Sequence, residues 1–180
     1  MADPPFDLAD IAALVAADKL PPVELWHPAH CGDSGMRIAA DGTWFHEGSP
    51  IGRPEMVHLF STILRREADG GYVLVTPGEK LDITVDDAPF VAVAATSEGQ
   101  GAGRRIGFRL NTGDHVIADA DHPLRVTTAA DGTPRPYLHV RGRLEALINR
   151  ATFYELADWA LAERADPPGL WSCGSFFRFG

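Results

Sequence analysis

The spacing of apolar residues predicts a chain of short strands with one main helix in each half. Asp7–Ala17 carries Leu8, Ile11, Leu14 and Val15 at helical spacing, and Pro21-Pro22 ends that helix. Trp26–Ser34 reads as a loop. Met36–Ala39 and Thr43–His46 read as a hairpin around Asp41-Gly42, a strong turn dipeptide. Arg53–Glu67 is predicted as the first main helix: Pro54 suits its first position, and Met56, Val57, Leu59, Phe60, Ile63 and Leu64 make one apolar stripe. Tyr72–Val75 is aromatic and β-branched, and Leu81, Ile83 and Val85 alternate with polar neighbours, so both are strands. Phe90–Thr96, Arg105–Leu110, His115–Ala118, Leu124–Thr127 and Tyr137–Val140 are further strands, with a glycine-rich loop at Ser97–Gly103. Asn149 caps a second main helix that runs to about Ala165, and Leu170–Phe179 closes the chain as a strand pair. The expected class is α+β. Two tandem duplicated domains, residues 1–88 and 89–180, each form a small curved, mostly antiparallel sheet carrying one main helix.

Internal self-similarity suggests the duplication. Arg37-Ile38-Ala39-Ala40-Asp41-Gly42-Thr43 answers to 125–133, which ends in Ala129-Ala130-Asp131-Gly132-Thr133. His46-Glu47-Gly48 then answers to Val140-Arg141-Gly142, and Arg53 to Arg150. Met56, Leu59 and Leu64 answer to Phe153, Leu156 and Leu161. On this register Met36–Val85 should superpose on Leu124–Phe179.

Charge narrows the function classes. The formal net charge is -9, which excludes a general nucleic-acid binder. Residues 101–150 depart from this with eight arginines against four aspartates and one glutamate, net +3. No apolar run reaches the ~18–20 residues of a membrane span. The N-terminus lacks the basic start of a secretory signal. The two cysteines, Cys31 and Cys173, do not make a disulfide framework. A cytoplasmic protein is expected.

Several strings resemble chemical motifs without completing them. Gly32-Asp33-Ser34-Gly35 matches the nucleophile loop of trypsin-like proteases, but the preceding histidine and aspartate of a triad are missing. A turn before the Met36 strand is expected there instead. His27, His30 and Cys31 lack a fourth ligand at zinc spacing, so no metal and no cofactor are expected. Gly99-Gln100-Gly101-Ala102-Gly103 is followed by a strand rather than a helix, so it reads as a hairpin loop rather than a phosphate cradle. Asp86 and Asp87 are adjacent and should face opposite ways, which favours a structural role between the domains over acid–base catalysis. No catalytic residue is assigned.

Arg53 and Arg150 each sit at a predicted helix N-terminus, where a cation opposes the helix dipole. Two uses fit: pairing with Glu79, Asp86 or Asp87, or binding an anion alongside the helix terminus. A seam between the halves would gather Arg53, Lys80, Arg141 and Arg150, with the Thr76–Lys80 turn near Asn111 and Arg141. Arg53 is the candidate for internal pairing there, and Arg141 for meeting ligand.

GTWFHEGSPIGRPEMVHLFSTILRRE, YVLVTPGEKLDITVDDAPF and the later HPLRV and RPYLHVRGRLEALINRATFYEL resemble the domain of unknown function 1285 family, over most of the chain from about Trp26. The resemblance implies two related α+β domains in tandem, the second similar to pleckstrin-homology-like domains. It implies a pocket between them for a nucleotide-like ligand, and a signalling role. It carries Arg53, Thr76, Glu79, Asp87, Phe90, Asn111 and Arg141 as pocket candidates without assigned roles; Lys80 and Arg150 join them from the charge pattern. The expected function is a non-enzymatic module that binds a small anion between its halves. A hydrolase using Glu79 or Asp87 and a protein-interaction scaffold are the alternatives.

Overall fold

A computed structural model of the chain describes residues 20–180. The helix predicted at Asp7–Ala17 lies outside the described residues. The rest is two tandem domains, each a curved six-stranded mixed sheet with a helix. The first holds β1 (His30–Ile38), β2 (Trp44–His46), β3 (Ser49–Pro50), α1 (Pro54–Thr62), β4 (Leu64–Arg66), β5 (Tyr72–Val75) and β6 (Lys80–Val85). The second holds β7 (Phe90–Glu98), β8 (Arg105–Leu110), β9 (His115–Ile117), β10 (Leu124–Thr128), β11 (Pro134–Arg141), β12 (Leu144–Ile148) and α2 (Arg150–Glu163), followed by the hairpin β13 (Gly169–Ser172) and β14 (Ser175–Arg178).

The two sheets share one strand order. The first runs β3-β2-β1-β6-β5-β4, and the second, taken from its other edge, runs β9-β8-β7-β12-β11-β10. Each is a pair of three-stranded meanders joined at the centre by a parallel pairing of first and last strands, β1 with β6 and β7 with β12. The helix enters at different points. It joins the meanders in the first domain and follows the last strand in the second.

The curvature follows from the links between edge strands. Five spacings of ~4.8 Å would hold the edges of a flat sheet ~24 Å apart. Only residues 118–123 connect edge strand β9 to edge strand β10, and the Asp119 amide folds back to the His122 carbonyl at 3.2 Å. A link shortened by a turn cannot span a flat sheet, so the sheet curls and brings its edges together. One apolar cluster runs through both domains, from Ile38, Trp44 and Leu64 to Phe108, Leu138 and Leu156.

The sequence self-match corresponds to repeated turn chemistry rather than to repeated positions. At 39–43 and at 129–133 the same turn forms. The first alanine amide donates to the threonine carbonyl, the glycine amide to the alanine carbonyl, and the threonine amide to the aspartate side chain, each at 2.9 Å. The first turn joins β1 to β2 at the centre of a sheet; the second joins β10 to β11 at an edge. The expected superposition of Met36–Val85 on Leu124–Phe179 therefore fails, because β13 and β14 pair with each other and do not return to the sheet. Leu64 and Leu161 show the mismatch: one is a buried strand residue, the other an exposed helix residue.

The first helix is shorter than its apolar stripe predicts. Ser61 Oγ donates to the His58 carbonyl and Thr62 Oγ1 to the Leu59 carbonyl, both at 2.6 Å. Such hydroxyls compete for helical carbonyls. The chain then leaves as β4, with Leu64 opposite Leu74. Val57, Phe60 and Ile63 pack on the core, whereas Met56 and Leu59 face outward. The predicted loop at Trp26–Ser34 also becomes strand from His30 onward. Gly32-Asp33-Ser34-Gly35 lies within β1 at a break in its register with β6. There Asp33 accepts from the Gly35 amide, and Ser34 from the Met36 amide.

Linker residues lock the two domains together. Asp86 takes a fork of hydrogen bonds from Arg37 of β1, the closest at 2.7 Å, and each group holds the other in its charged form. Asp87 faces the other domain, accepting from Tyr137 at 2.7 Å and pairing with Arg135 at 2.5 Å. Adjacent carboxylates thus hold one domain each. Asn111 adds a clamp: its side chain accepts from the Val91 amide at 2.9 Å and donates to the Gly42 carbonyl at 3.1 Å. Gly42 has φ +89°, and a Cβ there would stand 2.6 Å from Asn111 Nδ2. Gly42→Ala is expected to cost about 2 kcal/mol, combining backbone strain with loss of the clamp. Urea unfolding would measure it.

Candidate functional site

The end of α1 and the short strand β4 face the turn between β11 and β12. Between them, closed on one side by residues 20–24, lies a cavity of about 430 Å³. Its walls carry Arg65 and Arg66 from β4, and Arg141 and Arg143 from the β11–β12 turn. Glu24 is the one carboxylate on the lining. With Glu67 pairing Arg65 from outside the lining, four arginines against two glutamates leave +2 in a chain of net charge -9. Leu20, Pro21, Pro22, Val23, Leu64 and Leu144 supply an apolar wall.

The arginines are held differently. Arg65 is buried, and its guanidinium donates to the carbonyls of Val23 and Trp26 at 2.6 and 2.7 Å and pairs with Glu67 at 2.8 Å. It fixes the N-terminal wall of the cleft. Arg66 stacks on the Tyr72 ring, whose hydroxyl pKa is raised by burial. Arg141 stacks 5.3 Å from the Phe90 centroid and donates to the Ser61 carbonyl at 2.6 Å, so it joins α1 to the second domain. Stacking on an aromatic face leaves the edge of a guanidinium available for directional bonds. Arg143 is exposed and has no hydrogen bond or ion pair with a described residue.

A second polar cluster lies beside Asp87. Arg125 forms a bidentate pair with Glu145 at 2.7 and 2.8 Å and stacks 4.4 Å from the Tyr137 ring centroid. Burial first, then the bond to Asp87, raises the Tyr137 hydroxyl pKa. Every charge in this cluster has a partner, so it reads as a fastening between domains.

Of the residues expected from sequence, the structure joins Arg141 with Phe90, and Arg141 lines the cleft. Asp87 and Asn111 are interdomain fastenings. Thr76 and Glu79 close a turn on each other's backbone, with Lys80 following. Neither the turn nor Lys80 lines the cleft. Arg53 is the exposed N-cap residue of α1 and Arg150 the exposed first residue of α2. Neither forms an ion pair with a described residue, so the expected pairing of Arg53 with Glu79, Asp86 or Asp87 is absent; Asp86 takes Arg37 and Asp87 takes Arg135. Arg141, expected to be the ligand-facing arginine, is also engaged by Ser61 and Phe90. Arg65, Arg66 and Arg143 were not anticipated, because a helix running to Glu67 would have placed the first two on a solvated face. The available signal was Arg141-Gly142-Arg143, two arginines around a turn glycine.

The Gly99–Gly103 loop does cradle a carboxylate, supplied by the chain itself. Glu163 accepts from the Gly101 amide at 3.0 Å and from Arg104 at 2.6 Å. Among the described residues, no three histidines, cysteines or acids come together as a metal site.

Comparison with known proteins places this architecture. Residues 21–88 match the family model described as Domain of unknown function (DUF1285), N-terminal domain, and residues 89–179 match Protein of unknown function (DUF1285), C-terminal domain. A DUF1285 family protein from Silicibacter pomeroyi DSS-3 is similar at 50% identity, over 96% of this chain and 93% of that one, with a TM-score of 0.83. A DUF1285 family protein from Shewanella baltica OS155 shares the fold at 23% identity, over 70% of this chain and 92% of that one, with a TM-score of 0.55. No curated protein matches the chain. With family models covering nearly all of its described length, this chain belongs to the DUF1285 family.

Proposed function

We propose that the protein is a non-enzymatic binding module that holds a small anionic ligand, nucleotide-like in size, in the cleft between its domains. The observation that carries this is the gathering of four arginines around about 430 Å³ in an otherwise acidic chain. Like charges repel at such proximity, and a bound anion offsets that cost. The volume lies in the range of small-ligand pockets. The hydrolase alternative draws less support, since Asp87 is bonded by Arg135 and Tyr137 and Glu79 lies in a turn away from the cleft. A cytoplasmic signalling role rests on the family resemblance. The pleckstrin-like comparison draws on the second domain's two meanders followed by a helix. Among the described residues no helix is long and apolar enough to cross a membrane.

Thermal shift with inorganic pyrophosphate tests the binding role. At a hundredfold excess over Kd the full chain should gain ~2.7 kcal/mol. Arg143→Ala should weaken pyrophosphate binding about tenfold, on the scale of one charge-assisted contact, so that at the same concentration the gain falls to ~1.4 kcal/mol. Its melting temperature without ligand should not change, since Arg143 has no partner among the described residues. No response in the parent chain, or an equal response in the variant, would overturn the reading.

A further inference from the structure

We infer that Glu24 makes the cleft selective for an anion whose body presents a paired N–H edge, with guanine nucleotides as the representative class. This rests on the anion-binding role proposed above. A carboxylate weakens an anion site unless it has a task of its own, and Glu24 has no structural one among the described residues. It forms no hydrogen bond or ion pair with a described residue, although four guanidiniums share its cleft. Arg65 takes Glu67 as its carboxylate partner instead. The backbone on either side of Glu24 is nevertheless held. Arg65 bonds the carbonyls of Val23 and Trp26 on either side of it. Glu24 Oε1 lies 3.2 Å from where a Cβ on Gly142 would stand, and Gly142 has φ +52°. The glycine thus lets the carboxylate rest against the turn between Arg141 and Arg143, close to the cationic rim.

The remaining polar side chain on the lining, Thr62, donates its hydroxyl to the Leu59 carbonyl. Glu24 is therefore the strong acceptor of the cleft. An ionised carboxylate only accepts hydrogen bonds, and two parallel N–H groups satisfy it best. Guanine offers N1–H and its exocyclic amine along one edge; adenine places an acceptor at N1 there. The phosphates would meet the arginines, and the flat ring the proline and leucine wall. A site built around such a bond discriminates strongly against analogues that leave it unmade.

The test is isothermal titration of the full chain and of Glu24→Gln with GDP, IDP, ADP and inorganic pyrophosphate. The substitution is isosteric at an exposed residue, so the variant should fold. The parent chain should bind GDP at least tenfold tighter than ADP, with IDP, which lacks the exocyclic amine, between them. Glu24→Gln should lower GDP affinity about tenfold and raise pyrophosphate affinity severalfold. These opposite signs separate recognition from plain repulsion. If Glu24→Gln raises affinity for GDP and pyrophosphate alike, or the parent chain binds GDP and ADP equally, the selectivity is overturned while anion binding stands. If pyrophosphate and the nucleotides all fail to bind, the anion site falls, and this inference with it.

Discussion

Glu163→Ala is expected to lower the unfolding free energy by about 3–5 kcal/mol, the scale for stranding one member of a buried ion pair. Arg104 is only 7% exposed, and its guanidinium bonds Glu163 through both Nε and Nη2. It also bonds Ser97 and lies over the Trp159 ring. With the carboxylate gone, a buried cation keeps one neutral partner, and the Gly101 amide loses its acceptor. For a chain of this size the melting temperature should fall by roughly 6–20 °C. Protonation should show the same link. Arg104 first, then the Gly101 amide, depresses the Glu163 pKa below its ordinary 4.5. A depressed carboxylate stabilises the fold above its unfolded pKa and loses that contribution as pH falls through its folded value. Glu163→Gln should therefore differ from the parent chain most at neutral pH, and the two should converge on acidification. A gap that widens with acid would overturn this account.

Arg65→Ala should cost about 3 kcal/mol and also abolish the pyrophosphate response, because it removes three bonds from a buried hub. The Trp26 carbonyl loses its Arg65 donor, the Val23 carbonyl keeps only the Trp26 amide, and the wall of the cleft loses these bonds to β4. Arg143→Ala, by contrast, should touch binding alone. Hydrogen exchange at residues 20–26 distinguishes the two: protection should fall in the Arg65 variant and persist in the other. Unchanged protection in Arg65→Ala would show that the segment is held by something else.

The sequence revealed strands where side chains alternate cleanly and helix ends where a cap is explicit. Tyr72–Val75 and Arg105–Leu110 form as expected, and Asn149 accepts from the Thr152 amide at 2.9 Å. It concealed β4, because Leu64 continues a helical period that two hydroxyls interrupt. It also left β12 unassigned, although Leu144, Ala146 and Ile148 are buried in strict alternation. The internal match was real at the level of turns, since Asp-Gly with a following threonine folds the same way in either setting. The cleft was harder to read. Arg65, Arg66 and Glu24 are local in sequence to elements whose partners, Arg141 and Arg143, lie far along the chain. No spacing rule reports such a meeting.

The shared strand order also sets when each half can fold. Both sheets are closed at the centre by their own first and last strands, Asp33 opposite Asp82 and Val91 opposite Leu147. Each closing contact joins segments about fifty residues apart, the kind of non-local pairing that slows folding. During synthesis, the first sheet cannot close until Val85 has left the ribosome, and nothing after Val85 is needed to complete its strand set. The second begins at Phe90 and waits in turn for Ile148. Two closures in succession, with Asp86 and Asp87 emerging between them, separate in time the assembly of two sheets that share one strand order.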